Sequence, residues 1–151
     1  YRRSLTAGGT MTEHRASGRA LMIMPDVFIK RPGMFMGFPI RFDRVTSFIA
    51  GYTFAIDQVR EALSPDYADS FHPPGVEGQF QEQLREQGRL RWNRWDLTIA
   101  AEAIGWNEDE PPVIEEFTDE QHRAASAHLE PLLDRMFSLP GVVRDQLASR
   151  S

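Results

Sequence analysis

Seven apolar side chains between Asp43 and Leu63 constrain this chain more than any other feature. Val45, Phe48, Ile49, Tyr52, Ile56, Val59 and Leu63 fall at i, i+3, i+4, i+7, i+11, i+14 and i+18. That spacing returns to one face of an α-helix of about five turns and fits no strand, in which side chains alternate with period two. A helix of this kind must bury its stripe against other elements, so a packed helical domain follows. Gly51 interrupts the helix beside Tyr52. A mid-helix glycine costs about 1 kcal/mol relative to alanine, and the expectation is that another backbone packs close to it.

The segment ahead of this helix is Lys30-Arg31-Pro32-Gly33-Met34-Phe35-Met36-Gly37. Pro32 fixes its own φ and biases Arg31 away from helix, while Gly33 and Gly37 can take backbone angles closed to other residues. It reads as a shaped loop with an apolar Met-Phe-Met knuckle. Met34 and Phe35 are expected to pack under the long helix at Phe48 and Tyr52.

The remaining chain reads as helices divided by proline and glycine. Met24 to Ile29 is short and apolar. Ser64-Pro65 ends the long helix, and residues 67–78 read as an ordered loop around Pro73-Pro74, Gly75 and Gly78. Phe80 and Leu84 anchor a short helix that Gly88 terminates. Trp92, Trp95, Ile99, Ala103 and Trp106 then form a second helical stripe carrying all three tryptophans. Such a stripe is ordinarily core, and Trp95 is assigned there. Trp92 instead lies among Arg89, Arg91 and Arg94, and tryptophan and arginine are enriched at binding hot spots. Thr118-Asp119-Glu120-Gln121 has the form of a capping box that opens a last long helix. Pro131 lies inside that helix, Pro140-Gly141 closes it, and residues 142–148 read as a short terminal helix. The fold class is therefore mainly α: a single-domain bundle of five to six helices with ordered Pro/Gly-rich loops. Tyr1 to Thr10 read as upstream residues ahead of a natural start at Met11, with the domain spanning 11–151.

With 151 residues and 41% hydrophobic side chains, the chain can build a core without staples. It contains no cysteine, which removes disulfides and thiolate metal sites and fits a reducing cytoplasm. No apolar run approaches the roughly 20 residues that span a bilayer. Charge is divided unevenly: residues 1–60 carry +5 and residues 61–151 carry −10, which together make the net −5. Between Glu102 and Glu120 eight acids occur with no basic residue, including Glu108, Asp109, Glu110, Glu115 and Glu116. This argues against nucleic-acid binding, which needs clustered lysine and arginine. An acidic run of this kind either attracts a basic protein partner or serves only as a solvated surface.

Assembled chemistry is scarce. His14, His72, His122 and His128 are scattered, and the six-residue step from His122 to His128 turns the two about 120° apart, onto different helix faces. There is no HExxH pair, no G-x-S-x-G elbow and no phosphate loop, so neither a metal nor a cofactor is expected. A small enzyme assembled from dispersed groups such as Arg31, His72 and Glu77 stays open, as does a helical adaptor or regulatory protein.

Two resemblances attach to the knuckle. Lys30 to Gly37 is similar to the K-R-P-G-M-Y-I-G segment of type II topoisomerase ATPase subunits. The next helix of that family carries an E-x-x-x-N set, and Phe48 to Ala55 supplies neither residue. The segment Arg31-Pro32-Gly33-Met34-Phe35-Met36-Gly37, followed by Val45-Thr46-Ser47-Phe48-Ile49-Ala50-Gly51-Tyr52-Thr53-Phe54-Ala55, also resembles some small bacterial immunity proteins of polymorphic toxin systems. Those carry R-P-G-M-(Y/F)-x-G and then L-x-x-F-I-x-G-Y-x-x-A. The match covers residues 29–56, roughly a fifth of the chain. It implies a cytoplasmic antitoxin without enzymatic activity, bound to a cognate toxin domain, not to nucleic acid or membrane. The knuckle residues together with Phe48, Gly51 and Tyr52 are then structural. Glu108, Asp109, Glu110, Glu115, Glu116 and Trp92 are the candidate partner-binding groups.

Overall fold

The computed structural model describes residue 28, residues 30–63 and residues 74–138. Within them the chain is helical, and no strand occurs among the described residues. Five α-helices follow in order: α1 (Pro32–Met36), α2 (Phe42–Leu63), α3 (Val76–Glu86), α4 (Trp95–Ile104) and α5 (Asp119–Ser138), with a 3-10 turn at Ile114–Glu116 before the last. None of the described helices is long and apolar enough to cross a membrane. The expectations for residues 1–10, the 64–73 loop and the 142–148 helix lie outside the described residues, as does the apolar segment 24–29 apart from Phe28.

α5 is the element the others pack on. Ala125, Leu129, Leu133 and Met136 recur at four- and three-residue steps and are buried. Against them lie Val76, Phe80 and Leu84 of α3, Trp95, Ile99 and Ala100 of α4, and Phe42, Val45 and Ile49 of α2. Phe80 meets Trp95 edge-on, with ring centroids 5.8 Å apart. The capping box forms as its residues dictate. Gln121 N–H donates to Thr118 Oγ1 at 3.2 Å, and Thr118 N–H donates to Gln121 Oε1 at 2.9 Å. α3 and α4 each end at a left-handed glycine, Gly88 (φ +67°) and Gly105 (φ +68°). Beyond them Leu90 N–H returns to Leu84 O and Trp106 N–H to Ala101 O, closing the last turns.

The knuckle differs from the expected loop. Pro32 takes the first position of α1, where its missing N–H removes no helical bond, and Gly37 stops the helix at φ +72°, ψ −178°. That last combination is open essentially to glycine alone. Phe35 reaches Phe28 and Phe48, with centroids at 5.8 and 5.6 Å, but not Tyr52, which stacks on the far side of Phe48. Met34 does not pack under α2: it is 70% exposed. Neither knuckle side chain is buried: Phe35, 37% exposed, meets α2 at Phe48 with part of its ring and leaves the rest to solvent. Gly33 instead accommodates the Phe38 ring, which a Cβ there would meet at 2.2 Å.

Two further expectations are overturned on α2. Gly51 is exposed and nothing lies within 4 Å of where its Cβ would stand, so among the described residues no backbone packs close to it. Val59, although on the periodic stripe, is 59% exposed, because the packing elements cover the first half of the helix more fully than the second. α3 also begins at Val76, inside the expected loop, and Gly75 ahead of it lies so close to the Asp57 carboxylate that a Cβ there would collide with it.

His122, fully buried in the first turn of α5, accepts the Phe42 N–H on Nδ1 at 3.0 Å and so satisfies an orphan donor at the start of α2. Burial, followed by the Arg41 charge, lowers its pKa against the opposing pull of Asp43 and Asp119.

Two predictions follow from this packing. Replacing Gly51→Ala removes a helix penalty with no clash, so urea denaturation should show a gain of up to about 1 kcal/mol. Because folded His122 binds a proton less readily than the unfolded chain, its contribution is complete above its unfolded value of about 6.5 and lost as pH falls below it. Denaturation curves at pH 7.5 and 5.5 should show stability falling with acid. His122→Asn, whose amide oxygen accepts the same N–H without titrating, should fall less over that interval.

Candidate partner interface

The acidic segment after α4 is held by its backbone. Arg91 donates through one guanidinium nitrogen to Trp106 O at 2.7 Å and through the other to Glu108 O. Trp92 Nε1–H donates to Asp109 O at 2.6 Å, and Trp106 Nε1–H to Glu110 O at 2.8 Å. Four consecutive-region carbonyls are thus satisfied from one side by three side chains. The side chains of Glu108, Asp109 and Glu110 are left exposed, and none of the three has an ion-pair partner among the described residues.

The clamp originates in a local backbone feature. Trp92 and Asn93 both take left-handed angles, φ +49° and +52°, which turn the chain before α4 starts. Trp92 and Trp106 therefore lie outside the helix, and the tryptophan stripe is divided among a turn, a helix and a loop. Trp95 alone occupies the core. The Arg91 guanidinium lies 4.0 Å over the Trp92 ring, a cation–π contact that fixes both donors relative to each other. The Thr98 hydroxyl accepts the Arg91 N–H at 2.9 Å and faces the Arg91 and Arg94 carbonyls, which secures the turn to α4.

Charge in space is not the charge of the sequence run. Glu102 is paired with Arg89 at 2.7 Å and with His128 at 3.1 Å. Burial raises its pKa, but hydrogen bonds from Arg89 and His128 outweigh that and leave the carboxyl below its ordinary range. Glu115 and Glu116 lie on the 3-10 turn, which the buried Ile114 anchors, and both side chains are exposed. Arg41 reaches the Glu115 carbonyl at 3.4 Å. The structure thus joins Trp92 to Glu108, Asp109 and Glu110 as one clamped unit. Glu115 and Glu116 follow it on the next turn, beyond Pro111-Pro112.

A cleft of about 530 Å³ opens behind that turn. Its wall includes Glu115 and Pro112, its sides include Asp43 and Ser47 of α2 and Asp96 of α4, and Glu77 and Trp95 reach it from α3 and α4. Glu77 Oε1 accepts from Thr53 Oγ1 at 2.7 Å, and Oε2 accepts from Trp95 Nε1 at 3.0 Å. Of the dispersed trio Arg31, His72 and Glu77, only Glu77 lines this cleft. Arg31 stands just ahead of α1, and His72 lies outside the described residues. Among the described residues no group of three or more histidine, aspartate or glutamate side chains is arranged to hold a metal ion.

Sequence reasoning missed Arg91 and Trp106 as clamps, Glu77 as a junction and His122 as a cap. Their partners are 4 to 80 residues away, and no local pattern announces such pairings. No protein-family model matches the chain, and no match was found among curated proteins or solved structures.

A clamp built from indole and guanidinium donors gives a direct test. Trp92→Phe keeps the ring and loses the bond to Asp109 O, worth about 1 kcal/mol. Cleavage after Glu108 by a glutamate-specific protease should then accelerate roughly fivefold relative to cleavage elsewhere in the chain.

Proposed function

We propose that this protein is an immunity protein, an antitoxin that binds a cognate bacterial toxin domain and neutralises it by occupying its surface, without catalysis, in the cytoplasm. The observation that carries the reading is the clamped acidic loop. Its carbonyls are fastened inward by Arg91, Trp92 and Trp106, and the Glu108, Asp109 and Glu110 carboxylates are left exposed, with no ion-pair partner among the described residues. A loop used only for solubility needs no such fastening, because charge alone keeps a surface wet. A fixed row of carboxylates loses little freedom on docking, which lowers the entropic cost of association. It also attracts a basic partner over distance.

The resemblance of residues 29–56 to immunity proteins supports the same reading. The partner it fits best is a toxin domain with a basic cleft, such as a nuclease, whose phosphate track the carboxylates would occupy. Glu115 and Glu116 extend the row, and Trp92 supports it from beneath.

The test is co-expression with the C-terminal domain of the toxin-like protein encoded beside this gene. Growth rescue with a stoichiometric complex is expected, and absence of both overturns the reading. In the complex, reversing Glu108, Asp109 and Glu110 to lysine should slow association by about tenfold or more at low salt, with a smaller effect at high salt. An unchanged association rate would remove the acidic loop from the interface.

A further inference from the structure

The cleft beneath the 3-10 turn is built unlike the rest of the surface. Four parts of the chain converge on it: the first turns of α2, the middle of α3, the start of α4 and the segment from Pro112 to Glu115. At about 530 Å³ it falls within the range of small-ligand pockets and exceeds what one water or ion would fill. Its wall mixes apolar surface from Leu97, Pro112 and Ile114 with the oxygens of Thr46, Ser47 and Gln81.

The charges around it are unequal in their partners. Asp43 is met by Arg41 at 3.0 Å, and Asp96 is met by Arg94. Glu77 is met only by the hydroxyl of Thr53 and the indole N–H of Trp95, both neutral donors, and pairs with no cation among the described residues. Two bonds fix the orientation of that carboxylate and do nothing to cancel its charge. Glu115 stands exposed at the rim, also without an ion pair among the described residues.

The chain's own arginine shows what this environment favours. Arg94 lines the cleft, and its pKa is raised first by the hydrogen bond to Asp96, against burial, and then by the charges of Asp96, Glu115 and Glu77. A guanidinium in this cleft is therefore stabilised by carboxylates from three separate elements.

We propose that the cleft is a socket for a single arginine side chain presented by a partner polypeptide, with Glu77 as its deep anchor and Glu115 as its rim contact. An arginine presents five donors in a planar fork, which suits a wall rich in carboxylate and hydroxyl oxygens, and its flat face suits the Ile114 and Pro112 surface. The partner-binding reading supplies only the source of that side chain. The socket itself belongs to the isolated chain.

The probe is Nα-acetyl-arginine N-methylamide, with the citrulline analogue as its uncharged isostere. Each is titrated into the intact chain while the three tryptophan indole N–H resonances are followed by NMR. The Trp95 indole, bonded to Glu77, should shift saturably with the arginine compound, while Trp92 and Trp106, bonded to loop carbonyls, stay in place. The citrulline compound should bind at least tenfold more weakly. Glu115→Gln, which breaks no side-chain hydrogen bond or ion pair among the described residues and removes only a charge near Arg94, should weaken arginine binding severalfold. Glu77→Gln should weaken it tenfold or more, provided its spectrum shows the native dispersion. No Trp95 shift, equal response to citrulline, or a uniform shift of all three indoles overturns the socket. A chain that neutralises no toxin and still binds the arginine probe overturns the immunity reading alone.

Discussion

One carboxylate joins three helices. Glu77 of α3 accepts the Thr53 hydroxyl of α2 on one oxygen and the Trp95 indole of α4 on the other. Thr53 is itself buried, and its hydroxyl also faces the Ile49 and Ala50 carbonyls of its own helix. Trp95 is buried against Phe80, one turn along α3 from Glu77. Removing the carboxylate would leave a buried indole N–H without a partner, and the cost of such an orphan exceeds the net worth of the bond itself. The spacing of α2, α3 and α4 around α5 depends on this junction. So does the cleft, whose opposite sides are the helices that Glu77 ties together.

The same economy of donors organises the acidic loop. Loops lack regular backbone partners, and carbonyls left facing the protein need donors from elsewhere. Here two indoles and one guanidinium supply them, and the cation–π contact between Arg91 and Trp92 orients two of the three. Exposed carboxylates contribute little to stability, since surface ion pairs are commonly worth 1 kcal/mol or less. Their arrangement matters for what approaches from solution. A clamp that satisfies the main chain from within leaves every carboxylate free to face outward.

How much of this was legible in the sequence depends on the range of the interaction. The α2 stripe, the Thr118–Gln121 box and the glycine stop at Gly88 are local, and local spacing determines them; the stop at Gly105 falls inside the stripe that runs through to Trp106. Met34 looks like core from its place in an apolar knuckle and Val59 from its spacing, yet neither apolar character nor periodicity reports whether a neighbour covers the residue. Gly51 shows the same limit: a glycine within a helix tells of tolerance, not of a close approach. The tryptophan stripe failed because Trp92 and Asn93 adopt left-handed angles, which spacings of 3, 4, 4 and 3 residues do not register. At the site, the run of acids was plain to read. Its fastening by residues up to 17 positions away, and the pairing of Glu102 with Arg89 and His128, depend on the fold.

The loop and the cleft share a wall, and this joins their chemistry. Pro111 and Pro112 lead from the clamped carboxylates directly to Ile114, whose burial fixes the 3-10 turn at the rim of the cleft. The turn is secured from the α2 side by Arg41, which holds Asp43 and reaches the Glu115 carbonyl. Asp43 in turn belongs to the first turn of α2, whose leading N–H is capped by His122 of α5. The position of Glu115 at the rim therefore rests on a chain of contacts from the buried imidazole, through the start of α2, to the acidic surface. Protonating His122 would set a hydrogen against the Phe42 N–H at the head of that chain.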